Sequence, residues 1–129
     1  MIKYTPESEV NNRLFTHPFE TELDPQNRWV VLRNLIPWDK LAKVLMRSMS
    51  DQGRGSIDLR YVVGVLVIQA LEDQTDEGVI QAVQENIYMQ YFIGLPCFTT
   101  KQVFVPELLV EIRKRLGESG AEEFNDIVL

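Results

Sequence analysis

The sequence predicts an all-α fold, a compact bundle of about five or six helices around one central apolar helix at about residues 59–72. Three observations support this prediction. Apolar residues recur at helical spacing along most of the chain, the most apolar segment is too long for a typical strand, and helix-start and helix-stop signals separate the segments. The chain has 129 residues, 45% of them hydrophobic and 25% charged, which is typical of one soluble globular domain.

The chain divides into two regions. Residues 1–23 contain Pro6 and Pro18 and show no sustained period, so we predict an irregular N-terminal arm. Residues 24–129 are predicted to form a single helical domain. Its first helix is expected to start at Asp24-Pro25, because Asp is a good N-cap and proline suits the first helical position. Pro37 is expected to end that helix and open the next one, and residues 48–56 to form a flexible loop.

The central helix is expected to begin after Asp58 as its N-cap. Its β-branched residues also fit a buried strand, but the length of about 13 residues and the absence of a hairpin signal favour a helix. Thr75 is predicted to cap the following helix. Pro106 opens a later helix that ends at Gly117, and a last helix is predicted from about Gly120.

Charge is distributed unevenly along the chain. The net charge of −6 is unfavourable for a nucleic-acid binder, and residues 61–100 contain no Lys or Arg. Residues 28–60, in contrast, hold seven basic and three acidic residues, a local net charge of +4. Each basic side chain could contact DNA phosphates or belong to an ordinary solvated face, and Arg115 could also pair with Glu111 at i,i+4 spacing. The candidate DNA-contacting residues are Lys43, Arg47, Arg54, Arg60, Arg113, Lys114 and Arg115.

The helices predicted at 59–72 and 75–86 have the lengths of a helix-turn-helix motif. The second of them opens with Asp76 and Glu77, which would meet DNA phosphates with like charge. This pair is therefore interpreted as structural core, with a DNA-reading role kept as the alternative. The aromatic segment 88–93 and the pair Trp29 and Trp38 are also interpreted as core, the tryptophans attaching the first two helices to the central one.

No catalytic constellation is visible in the sequence. The carboxylates around residues 72–77 fit helix caps and a solvated face, and no glycine-rich phosphate loop is present. Cys97 is the single cysteine, far from His17 in sequence, and is expected to be a small core residue. We therefore predict neither an enzyme nor a metal or cofactor site. No apolar run is long enough for a membrane span and no signal peptide is apparent, so the expected location is the cytoplasm.

Several segments, in order, resemble one known family. These segments are residues 35–39 (LIPWD), 57–60 (IDLR) with Gly64 in the helix that follows, 75–77 (TDE), 84–95 (QENIYMQYFIGL), Phe104, and 113–117 (RKRLG). The ordered set, over roughly residues 24–117, resembles the N-terminal domain of bacterial insertion-sequence transposases of the DDE class.

The resemblance implies a non-catalytic helical domain that precedes a catalytic domain of ribonuclease-H-like fold. In that family three carboxylates of the catalytic domain bind two metal ions, so they are expected to lie beyond Leu129. The implied function is to assist binding of the element's terminal inverted repeats during transposition. The implied partners are DNA and the parent protein's own catalytic domain. The alternative is a protein-interaction module for dimerisation or docking, as the acidic charge and the 61–100 stretch without cations favour.

Overall fold

The computed structural model describes residues 2–17, 22–49, 57–103 and 105–128. Within these ranges the chain is helical, and the β-type pairing that they contain is an isolated parallel bridge between Thr16 and Cys97. The all-α class is therefore confirmed. The described helices are α1 Glu7–Asn11, α2 Arg28–Leu35, α3 Trp38–Ser48, α4 Leu59–Glu72, α5 Asp76–Glu85, α6 Ile87–Ile93 and α7 Pro106–Val128.

Helix α4 is the central element, as predicted. It packs against α3, α5, α6 and α7, and it is apolar nearly all round because it has neighbours on nearly every side. The Asp58 side chain caps it by accepting a hydrogen bond from the backbone N–H of Arg60 at 2.9 Å. The helix residues that are at most 1% exposed are Arg60, Val62, Val63, Val65, Val67 and Ile68.

Helices α4 and α6 approach each other closely at Gly64. A Cβ atom at this position would lie 2.6 Å from Ile93 Cγ2 and 2.8 Å from Ile93 Cα. The second atom belongs to the backbone, which cannot rotate away as a side chain can. Glycine is required here by the distance between two helices, and this contact sets the position of α6.

Helix α6 was identified in the sequence only as an aromatic core segment. It is a separate helix because Asn86 caps it, accepting hydrogen bonds from the backbone N–H groups of Tyr88 and Met89. Gly94 ends it in the left-handed region with φ 98°. The predicted N-cap of α5 is confirmed, since Thr75 Oγ1 accepts from the Gly78 N–H at 3.0 Å.

The predicted start of the first long helix at Asp24-Pro25 is wrong by about one turn. The Asp24 carboxylate instead accepts a hydrogen bond from the Gln26 N–H, which forms a local turn. Helix α2 begins at Arg28, where the Asn27 side chain caps it by accepting from the Trp29 N–H at 2.8 Å. The predicted break at Pro37 is confirmed, since α2 ends at Leu35 and α3 begins at Trp38.

The two helices predicted at the end of the chain form the two halves of α7. Gly117 lies between them with φ 68° and interrupts the regular helix. The first half buries Leu109 and Ile112, and the second half buries Phe124, which is 4% exposed. Residues 118–128 thereby pack back against α3.

The N-terminal arm is more ordered than predicted. It contains α1 and it packs against the first turn of α4, where Lys3 O accepts from the Leu59 N–H at 2.9 Å. The Thr5 N–H donates to Asp58 Oδ1 at 2.8 Å, and the Thr5 hydroxyl donates to Asp58 Oδ2. Thr5 and Val10 are buried. The carboxylate that caps α4 therefore also fastens the arm.

Trp29 and Trp38 do lie in the core, but their shared partner is on α6. The ring of Phe92 contacts Trp29 and Trp38 edge-on, with centroid separations of 5.2 and 4.9 Å. Trp38 Nε1 donates to Arg33 O at 2.8 Å. The two tryptophans thus both contact α6 through Phe92, and Trp38 also contacts α4, since the guanidinium carbon of Arg60 lies 3.7 Å from the centroid of its ring.

We predict that Gly64→Ala lowers the free energy of unfolding by about 1–3 kcal/mol, because the added methyl group overpacks the α4–α6 contact. Urea denaturation measures this change. Gly78→Ala is the control: its Cβ would meet only side-chain atoms, the nearest being Thr75 Oγ1 at 3.0 Å. Because no backbone atom lies near that Cβ and alanine has the higher helix propensity, the change should be smaller than that of Gly64→Ala. Equal midpoints for the two variants would contradict the close approach.

Candidate nucleic-acid interface

Helix α3 carries exposed positive charge on one side. Its residues Trp38, Leu41 and Leu45 are fully buried, whereas Lys40, Lys43 and Arg47 are exposed. The spacing of three and four residues between the cations places them along one side of the helix. Two of the candidate DNA-contacting residues, Lys43 and Arg47, are therefore brought together by α3. Lys40, which the candidate set omits, could have been identified from its i,i+3 spacing to Lys43.

This basic side borders a groove between α3 and the second half of α7. The groove has a volume of about 480 Å³, and the Arg47 side chain is paired across it with Glu123, Nη2 to Oε2 at 2.6 Å. The Arg47 and Glu123 side chains are 62% and 47% exposed, so water reaches both. The residues lining the groove are Lys40, Lys43, Val44, Met46, Arg47, Glu123 and Ile127.

The prediction that Arg60 contacts DNA is wrong in this fold. Arg60 is 0% exposed, and its guanidinium carbon lies 3.7 Å from the centroid of the Trp38 ring. Burial and then the neighbouring Arg33 cation lower the pKa of Arg60 to about 10. The first turn of α4 lies beneath the N-terminal arm, so Arg60 cannot reach a phosphate.

A second buried arginine, Arg33 on α2, was not singled out from the sequence. It is 7% exposed, its guanidinium carbon lies 4.0 Å from the centroid of the Tyr91 ring, and its Nη2 donates to Val10 O at 3.4 Å. Both buried arginines rest on aromatic rings rather than on carboxylates. The sequence gives little indication that these arginines are buried, because a charged residue in an amphipathic helix usually lies on the solvated side.

The basic run at residues 113–115 does not form a common surface. Arg113 Nη2 pairs with Asp76 Oδ2 at 2.5 Å, and this hydrogen bond holds the pKa of the Asp76 carboxyl below its ordinary value. Arg115 pairs with Glu111 at 3.0 Å, which confirms the i,i+4 interpretation. Lys114 is exposed and forms no ion pair with the described residues. Arg54 lies outside the described residues.

Helix α5 has no basic surface with which to approach DNA. It buries Val79, Ile80 and Val83 against the bundle, and Glu77 and Glu85 are exposed on it. Its exposed side would meet DNA phosphates with like charge. The geometry therefore favours the structural interpretation of the α4–α5 pair.

The described part of the chain offers no ready metal centre. Within it no three His, Cys, Asp or Glu side chains are grouped so that they could hold an ion. Cys97 is exposed, so the expectation that it lies in the core is wrong: it lies in the extended segment that pairs with Thr16. No helix of the described ranges is long and apolar enough to cross a membrane.

We predict that Arg60→Ala lowers the free energy of unfolding by about 2–5 kcal/mol, since it leaves a cavity beside Trp38. Arg60→Met keeps the packed stem and removes a desolvated charge, so its stability stays within about 1.5 kcal/mol of wild type. Urea denaturation of both variants measures the difference. Two variants as stable as wild type would contradict the buried position of Arg60.

Residues 17–115 match the transposase domain family DUF772, which covers most of the chain and all of α2–α6. A similar protein is the uncharacterized protein ORF8 of the nfe locus of Rhizobium meliloti, 28% identical over 116 residues. The match covers 90% of this chain and 56% of that protein, so the chain spans about half the length of the curated relative that it matches. No solved structure matches the chain. The family match, with a fold of the expected class, shows that the chain belongs to the DUF772 transposase-domain family.

Proposed function

We propose that this chain is a non-catalytic domain of a DNA transposase and that it helps to bind the terminal inverted repeats of the element. The observation that carries the proposal is the basic side of α3. Lys40, Lys43 and Arg47 are exposed along a helix whose opposite side is anchored in the core. A rigid element that presents several cations suits sequence-independent contact with a DNA backbone.

The dimensions of this basic side fit a stretch of backbone. Lys40 and Arg47 are seven residues apart, which is about 10 Å along a helix axis. Each DNA strand carries one phosphate per about 3.4 Å of duplex axis, so cations spread over about 10 Å lie within reach of more than one phosphate. Phosphate contacts position a protein on the duplex, and contacts to base edges provide its sequence preference. The α3 side chains are assigned to the first role.

The acidic character of the chain is compatible with this interface. The carboxylates of residues 61–100 belong to α4, α5 and the turn between them, and none of them lines the α3–α7 groove. Two of them are already paired, Glu72 with Arg28 at 2.9 Å and Asp76 with Arg113. The Debye length of about 8 Å at physiological salt limits the repulsion from more distant charges.

We expect the double variant Lys43→Glu/Arg47→Glu to bind the terminal repeat more weakly than wild type. Each lost phosphate contact should also reduce the salt slope of log K by about 0.9. Fluorescence anisotropy with a labelled terminal-repeat duplex and a shuffled duplex, over a salt series, measures both quantities. Affinity that does not change in the variant would contradict the assignment.

The matched control is Lys101→Glu, an exposed cation in the segment after α6. Its neighbours Thr99 and Thr100 are hydrogen-bonded to Gln90 and Gln84, on α6 and α5 rather than α3. It tests the effect of net charge alone, and we expect a small change in affinity without a change in salt slope. A decrease per charge equal to that of the α3 variant would attribute binding to overall charge. A preference for the terminal repeat over the shuffled duplex tests the repeat-binding role itself.

A protein-interaction module is the second candidate function. The observation that favours it is an apolar patch on α2, where Val31 and Leu35 are 43% and 69% exposed. Their spacing of four residues puts them on the same side of the helix. Large exposed apolar patches mark protein–protein contact sites, whereas single exposed apolar residues are normal. The patch fits self-association or docking of another domain of the parent protein.

Light scattering over a concentration series tests the self-association arm of this candidate. If α2 mediates it, the apparent mass should rise with concentration in wild type and stay at the monomer value in Leu35→Glu. Val110→Glu, an exposed apolar position on α7 that is 42% exposed, is the control and should behave as wild type. A monomer mass for wild type at every concentration would count against self-association.

A further inference from the structure

Glu123 is the acidic residue among those lining the α3–α7 groove, which Lys40, Lys43 and Arg47 also line. Its carboxylate lies 2.6 Å from Nη2 of Arg47, within the range of a charge-assisted hydrogen bond. A phosphate oxygen binds a guanidinium through the same N–H donors and at similar distances. The carboxylate therefore occupies a position on Arg47 that a DNA phosphate would need.

The fold holds Glu123 at this position. Gly117, with φ 68°, interrupts α7 and redirects its second half across α3. Phe124, 4% exposed, then anchors this half in the core directly after Glu123, and Ile127 lies against the groove one turn later. The Glu123 carboxylate is thus held beside Arg47 by a helix that is packed against the core.

Residues 118–128 form a segment of net negative charge. They contain four carboxylates and no Lys or Arg, and they follow the end of the family match at residue 115. This acidic half-helix therefore lies outside the part of the chain that matches the family, whereas the basic side of α3 lies inside it. The four carboxylates are those of Glu118, Glu122, Glu123 and Asp126.

We propose that the α3–α7 groove is a seat for one backbone phosphate of DNA and that Glu123 competes with this phosphate for Arg47. The proposal rests on the proposed function, since it uses the same basic side of α3. In the free chain Glu123 reduces the affinity of the seat, and a bound strand displaces it. The second half of α7 is then an internal competitor that limits sequence-independent binding.

The energies suit such a competition. Arg47 and Glu123 are more than a third exposed, and ion pairs between exposed side chains contribute only a small free energy. This is small enough for a phosphate to displace the carboxylate, yet large enough to change affinity measurably. Lys40 and Lys43 remain beside the groove and add attraction for the incoming anion.

The test compares Glu123→Gln with Glu122→Gln, using a labelled duplex of shuffled sequence, because phosphate contacts do not depend on sequence. Both variants remove one negative charge from neighbouring positions of α7. Glu122 is exposed and forms no ion pair with the described residues. We expect Glu123→Gln to bind roughly two- to fivefold more tightly than Glu122→Gln. The salt slopes of the two variants should be equal, because Arg47 contacts a phosphate in both complexes and the number of phosphate contacts is the same.

A double-mutant cycle isolates the contact. In an Arg47→Ala background, Glu123→Gln should give no gain beyond that of Glu122→Gln, because the shared guanidinium is absent. Urea denaturation of each variant checks that the second half of α7 stays packed. Equal affinities for Glu123→Gln and Glu122→Gln would overturn the inference, as would a gain that persists without Arg47.

Failure of the inference and failure of the proposed function give different results. If Lys43→Glu/Arg47→Glu weakens binding but the Glu123 and Glu122 variants agree, the α3 interface stands and the competing carboxylate is excluded. If Glu123→Gln strengthens binding but no duplex preference is seen, the phosphate seat stands and the repeat-binding role fails. No binding by wild type or Glu123→Gln at low salt overturns both.

Discussion

The contact between Gly64 of α4 and Ile93 of α6 determines where the neighbouring helices can lie. A side chain of any size at Gly64 would push the α6 backbone outward, since the space for its first carbon ends 2.8 Å from Ile93 Cα. The adjacent Phe92 is the ring on which Trp29 and Trp38 pack, and α2 packs against α6, so the position of α2 depends on that of α6. The distance between α4 and α6 thereby affects α2 and the aromatic cluster as well, because the interior is closely packed.

The cations of this chain fall into two classes, those buried on aromatic rings and those exposed to solvent. Arg33 and Arg60 are buried on the aromatic rings of Tyr91 and Trp38, where their planar guanidinium groups stack and their stems fill space. A Cβ at Gly94 would lie 3.2 Å from Arg60 Cγ and 3.4 Å from Val10 Cγ1, so the arm, α4 and the end of α6 meet around this side chain. These arginines contribute to packing, which leaves the exposed side of α3 to carry the positive charge proposed for DNA contact.

The local features of this fold were largely readable from the residues. Asp58, Thr75, Pro37 and Gly117 act on the backbone within a few residues of themselves, so their effects as caps and breaks do not depend on the rest of the chain. The length and apolar content of residues 59–71 likewise favoured a helix with neighbours on nearly every side. The family could also be recognised, because its landmarks are short segments in a set order. The predicted start of α2 is wrong because Asp24 and Asn27 are both favourable N-cap residues, and the Asp24 carboxylate forms a local turn with Gln26 instead.

Burial of individual charges could not be read in the same way. Arg47 and Arg60 carry the same side chain in neighbouring basic segments, yet one is 62% exposed and the other is in the core. The difference arises because the N-terminal arm closes over the first turn of α4, a contact between residues more than fifty positions apart. The pairing of Glu123 with Arg47 is similarly remote, since it depends on the turn at Gly117 and on the anchor at Phe124. Helix type, caps and family followed from short-range chemistry along the chain, whereas the choice of which cations meet solvent, the core or a carboxylate depended on long-range packing, which no local pattern encodes.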